Sequence, residues 1–131
     1  MALQYINIED VKNIQFQKYS TLTQSGYIDE ANEEIQNLGE QMNVMTPADI
    51  TIPVHYVIER YGINYALSRM AEDAIGANES PIQDNDIYVN MFQRTHYIMN
   101  ELRPQITYQV LTGNINNASD RSASFGTLER A

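Results

Sequence analysis

Three stretches of the chain repeat their apolar residues in steps of three and four, the spacing of one face of an α-helix. The first runs from Ile28 to Met42, with Ile28, Ala31, Ile35, Leu38 and Met42 in one seam that continues to Met45. Asp29, Glu30, Glu33 and Glu34 crowd its first turns, where the helix dipole favours negative charge. Gly39 in its last turns permits close packing. The second stretch is led by Pro53, whose missing N–H costs nothing at the first position of a helix. It extends to about Ile75 and carries two stripes, Val54, Val57, Ile58, Tyr61 and Tyr65 on one side and Ile63, Leu67, Met70 and Ala74 on the other. Two stripes require neighbours on both sides, so this is the expected central helix. The third stretch starts near Asp84 or Asp86 and turns Ile87, Met91, Thr95, Ile98 and Leu102 inward. Pro104 disfavours a helical Arg103 and marks its end.

The remaining segments read as connections. Asn7, with Asp10 three residues on, predicts a capped short helix from Ile8 to about Phe16. Gln17 to Gly26 is polar and predicts a loop, as do Thr46 to Ile52 and Ala77 to Asn85. Ile106 to Leu111 fits a strand or a further helical turn, and periodicity does not separate the two. The expected fold is all-α: a small bundle of three main helices plus a short N-terminal helix over residues 1–112, then an extended C-terminal arm over 113–131. The arm has no apolar repeat, and Phe125 and Leu128 are its large apolar anchors. Arg121 and Arg130, beside Asp120 and Glu129, flank those anchors. Apolar anchors that fill pockets and charges that fix register are the pattern of a docking peptide, so the arm is expected to bind a neighbour through Arg121, Phe125, Leu128 and Arg130.

Charge and composition narrow the function classes. The net charge is −9, and residues 1–50 carry most of it, two lysines against eight acids. Affinity for nucleic acid rests on neutralising phosphates, so this balance argues against a phosphate-gripping role. It suits a surface that DNA passes without sticking. Hydrophobic residues make up 43% of the chain, with nine tyrosines and no tryptophan, which favours half-buried and interfacial aromatic positions. The absence of cysteine excludes disulfides and thiolate metal sites and fits a reducing compartment. The first residues, Met-Ala-Leu-Gln-Tyr-Ile, lack the basic flank and apolar core of a signal peptide. No apolar run reaches membrane-span length.

Candidate chemistry is sparse. His55 and Glu59 are spaced i,i+4, and a zinc site with His96 would need two helices to align. The residues three before the histidines are Ile52 and Gln93, so the Glu-x-x-His pattern of di-iron bundles fails twice. A helix-face pair of His55 and Glu59, with His96 as a satisfied interface residue, is the preferred reading. No nucleophile elbow or phosphate-binding loop is present, so no catalytic residue, metal or cofactor is expected. Met42, Met45, Met70, Met91 and Met99 fall at core spacing, and core filling is preferred over an adaptable contact surface.

The order of elements resembles the head–tail adaptor (head-completion or connector) proteins of tailed bacteriophages. The resemblance is carried by Gly26-Tyr-Ile-Asp-Glu-Ala31, which opens the acidic helix, and by the proline-led central helix with Tyr65-Ala-Leu-Ser-Arg-Met-Ala-Glu-Asp73. An aromatic-bearing helix from Tyr88 to Leu102 follows an acidic loop. That third helix departs from the family's Tyr-x-x-Ala-x-x-x-Leu pattern, with Phe92, Thr95 and Met99 in its place. The resemblance spans about residues 5 to 105. It implies a structural virion protein, assembled in the host cytoplasm and placed in the neck at the head–tail interface. It further implies a homo-oligomeric, dodecameric ring beneath the portal, with the arm reaching the portal and a stopper or tail protein on the other face. Glu30, Glu33, Glu34 and Glu40 would then line the DNA channel. The alternative is a small acidic helical inhibitor module that binds a basic partner through those same glutamates.

Overall fold

A computed structural model describes residues 4–18, 21–77 and 82–113. It bears out the all-α bundle: three long helices carry the architecture, and no strand occurs among the described residues. The helices are α1 (Ile14–Gln17), α2 (Thr21–Gln41), α3 (Tyr56–Ala77), α4 (Ile82–Leu102) and α5 (Tyr108–Thr112). Short 3-10 segments stand at Ile8–Asp10, Pro47–Asp49 and Arg103–Gln105. As its two stripes require, α3 is central and packs against both α2 and α4. Ile58, Met70, Ile35 and Leu38 are wholly inside, joined by Ile6, Val11 and Phe16 from the N-terminal segment and by Ile106 and Leu111 from the C-terminal one.

The short leading helix is in fact two pieces. Asn7 caps the Ile8–Asp10 turn, its Oδ1 accepting from the Glu9 N–H at 3.1 Å, while Asp10 accepts from the Asn7 N–H at 3.0 Å. Val11 then turns extended and buries completely. Asn13 opens a second helix by accepting from the Gln15 and Phe16 N–H groups. Two good N-cap residues six apart divide the segment.

The expected loop before Ile28 is also helix, since α2 begins at Thr21. Its extra turns bury a polar residue: Gln24, 6% exposed, donates to the Phe16 carbonyl at 2.6 Å. A glutamine on the core face hides the seam from an apolar count. At the other end α2 stops at Gln41, so Met45 does not continue the seam. Asn43 takes a left-handed conformation (φ 67°), and the Val44 N–H reaches back to the Gly39 carbonyl at 2.8 Å. With the Asn43 N–H on the Glu40 carbonyl, this closes the Schellman arrangement and leaves Met45 88% exposed. Gly39 does allow a close approach, because a Cβ there would meet Ile50 Cδ1 at 3.0 Å.

Pro53 does not lead α3. The helix starts at Tyr56 after a cis Ile52–Pro53 bond, and His55 is its cap, with Nδ1 accepting from the Val57 N–H at 3.1 Å. Beyond α4, Thr107 caps α5, which settles the Ile106–Leu111 ambiguity as helix. The Thr51 N–H donates to the Leu111 carbonyl at 2.9 Å and ties α5 to the segment before α3. Gly113 ends α5 at φ 76°, and a Cβ there would lie 2.6 Å from Thr51 Oγ1. Backbone strain and collision act together, so Gly113→Ala is expected to cost about 1–3 kcal/mol. Urea unfolding measures this, with Gly26→Ala, where a Cβ meets nothing within 4 Å, as the control that loses nothing.

Candidate functional site

The acidic residues of α2 are divided between two directions. Glu33 and Glu40 are exposed, together with Asp29, and fall on the helix side away from the Ile28–Leu38 seam. Glu30 and Glu34 are half-buried on the flank toward α3. Glu30 is held by Arg69 of α3, at 2.8 Å to Nε. The same guanidinium reaches Glu72 and lies 3.7 Å from Asp73. Tyr27 donates to Asp73 at 2.9 Å and extends this cluster back to α2.

Hydrogen bonds to Glu30, and the surrounding carboxylates, push the Arg69 guanidinium further up from its already high range. Burial, and then the Glu34 carboxylate, raise the Tyr61 and Tyr65 hydroxyls above their ordinary 10.0. The flank of α2 is therefore a structural seam, and three acids, Asp29, Glu33 and Glu40, face outward. Because Arg69 and its partners are all part-exposed, solvent screens the network. Arg69→Ala is expected to cost about 1 kcal/mol at low salt and less at high salt, read from urea unfolding at two ionic strengths.

The candidate metal residues take other roles. His55 caps α3 instead of pairing with Glu59 on a helix face, and its ring stacks on Tyr56 at 4.7 Å. His96 is exposed on α4 with its ring 4.2 Å from Phe92. Among the described residues, no three His, Asp or Glu side chains are grouped to hold a metal ion. Of the methionines, Met70 and Met99 are core and Met42 and Met91 are partly buried.

A cleft of about 370 Å³ opens between α3 and α4. Leu67, Met91 and Ile98 supply apolar lining, Ile87 a partly exposed apolar edge, and Asn13 reaches it from the N-terminal segment. Asn64, Asn90, Arg94 and Thr95 complete it with polar groups. Asn64 is only 8% exposed. Its Nδ2 donates to the Arg60 carbonyl at 2.8 Å, while its Oδ1 accepts from none of the described residues. A buried carboxamide oxygen without a donor is costly, and here it borders an open cleft. Arg94 forms no ion pair with a described residue. An apolar floor with converging amides and a guanidinium that pairs with no described residue can bind a peptide segment that carries an apolar anchor and a carboxylate.

Sequence reasoning missed this cleft, because its parts lie on three separate elements. One signal was available: asparagine is a poor interior helix former, yet Asn64 sits mid-helix between two apolar stripes. The predicted arm residues Arg121, Phe125, Leu128 and Arg130 lie outside the described residues. Exposed large apolar side chains occur at Ile52, Tyr56 and Tyr108, on the segments that the Thr51–Leu111 bond joins, and at Tyr97 on α4. No helix among the described residues is long and apolar enough to cross a membrane. No protein-family model, curated protein or solved structure matches the chain.

Proposed function

We propose that this chain is a structural adaptor of the head–tail type, a homo-oligomeric ring in the virion neck that joins a portal to a stopper or tail protein. The observation that carries the reading is the unlikeness of the two edges of the bundle. One edge is α2, which has no lysine or arginine and points Asp29, Glu33 and Glu40 outward. The other is α4, with the cleft, its Arg94 and the exposed Ile87 and Tyr97. In a closed ring each copy turns one edge to the centre and offers another to its neighbour, so unlike edges suit a ring, whereas a self-complementary patch would favour a twofold dimer. An acidic helix facing a central channel repels DNA phosphates and lets the duplex slide.

The inhibitor reading draws on the same acids, but Glu30 already spends its charge on Arg69 within the chain. Quantitative mass spectrometry of purified virions produced from the genome that encodes the chain tests the proposal. The chain is expected at a copy number matching the portal ring. Its absence from the particles overturns the proposal.

A further inference from the structure

Resting on the adaptor reading, we propose that the α3–α4 cleft is the docking site for residues 120–130 of a second copy of this chain. Phe125 of that copy would seat on Leu67, Met91 and Ile98, and Glu129 would pair with Arg94. The cleft asks for three things at once: a bulky apolar side chain for its floor, donors for Asn64 Oδ1, which accepts from none of the described residues, and an anion for Arg94, which pairs with none of them. Segment 120–130, Asp-Arg-Ser-Ala-Ser-Phe-Gly-Thr-Leu-Glu-Arg, supplies all three. In an extended peptide, residues four apart face the same side, so Phe125 and Glu129 reach one surface together. Backbone N–H groups between them offer the donors that an asparagine oxygen accepts. The outward acids of α2 offer charge for Arg94 but no apolar anchor, and they fit the cleft less well. The eighteen residues after Gly113 span up to about 60 Å when extended, enough to reach an adjacent subunit.

The test uses the full chain with a photoreactive benzophenone amino acid in place of Phe125, mixed with an equal amount of isotope-heavy full chain. Irradiation is expected to join the probe of one isotope to Leu67, Met91 or Ile98 of the other. Arg94→Glu should lower that yield about tenfold, the loss of one charge-assisted contact, and Glu129→Arg on the probe chain should restore it. Cross-links confined to one isotope, or directed to other surfaces, overturn the proposal, as does an Arg94→Glu yield equal to the parent's. The two readings fail separately. Phe125→Ala chains that enter virions at full copy number, with no cleft cross-link in the probe experiment, sink this docking and leave the adaptor standing. Virions without the chain sink the adaptor reading, whatever the cross-link shows.

Discussion

Asn32→Ala is expected to lower the stability of the bundle by about 2–5 kcal/mol and to free the N-terminal segment from it. Asn32 is 3% exposed on α2, and its Oδ1 accepts from two backbone N–H groups, those of Tyr5 at 2.8 Å and Ile6 at 3.0 Å. Its Nδ2 donates to the Ile6 carbonyl at 3.2 Å. One side chain thus satisfies three backbone groups of a segment that has no ladder of its own. Alanine leaves all three desolvated and unpaired, at about 1–3 kcal/mol for each. The upper part of that sum is relieved where the segment detaches and rehydrates. Detachment also exposes Ile6, which is 1% exposed and packs against α3. Urea unfolding gives the loss, and hydrogen exchange at the Tyr5 and Ile6 amides shows where it falls. A loss below about 0.5 kcal/mol, the range of ordinary surface changes, with both amides still protected, contradicts this account of the segment.

The second large effect is expected at Gly62, where α3, α2 and the N-terminal segment come together. A Cβ at this position would meet Ile35 Cδ1 at 3.1 Å and two Ile6 methyl carbons at 3.3 Å. For Gly62→Ala two effects oppose one another. Helix propensity gains up to about 1 kcal/mol, and two isoleucine termini must give way by a few tenths of an ångström. The net change is expected within about 1 kcal/mol of zero. Gly62→Val has no such balance, because its two further methyls fall where Ile35 and Ile6 already sit. It is expected to cost about 3 kcal/mol and to shift the same Tyr5 and Ile6 amides toward faster exchange. Thermal and urea unfolding of both variants decide the point. Equal stability for alanine and valine would mean that the three elements are not in close contact there.

These two positions show what the sequence could and could not express. The seam of Ile28, Ala31, Ile35 and Leu38, and the two stripes of α3, announce their helices because apolar burial follows the helical period. Pro104 marks the place where α4 gives way to a 3-10 turn, although Arg103 before it stays helical within that turn. The boundaries that failed share another cause: a polar side chain does the work. Gln24 extends α2, His55 caps α3 and Asn13 restarts the N-terminal helix, each through a side-chain hydrogen bond that hydrophobic periodicity does not record, while Asn43 closes α2 through its left-handed backbone. Asn32 belongs to the same group, since its partners lie more than twenty residues away. The acids of α2 were legible as a cluster, but their division into a structural flank and an outward face depends on Arg69, on another helix. The cleft was hidden for the same reason, as Asn13, Asn64 and Arg94 meet only once α3 and α4 are packed.

The central claim is that these copies form a ring around a DNA channel, with the acidic α2 edge inward and the α4 edge against a neighbouring copy. An electron cryomicroscopy reconstruction of the neck of virions produced from the genome that encodes the chain tests it most directly. The account predicts a closed ring coaxial with the portal, α2 with Glu33 and Glu40 toward the channel, and the α4 edge of each copy against its neighbour. Copies paired about local twofold axes, or a neck ring built without this chain, would contradict it.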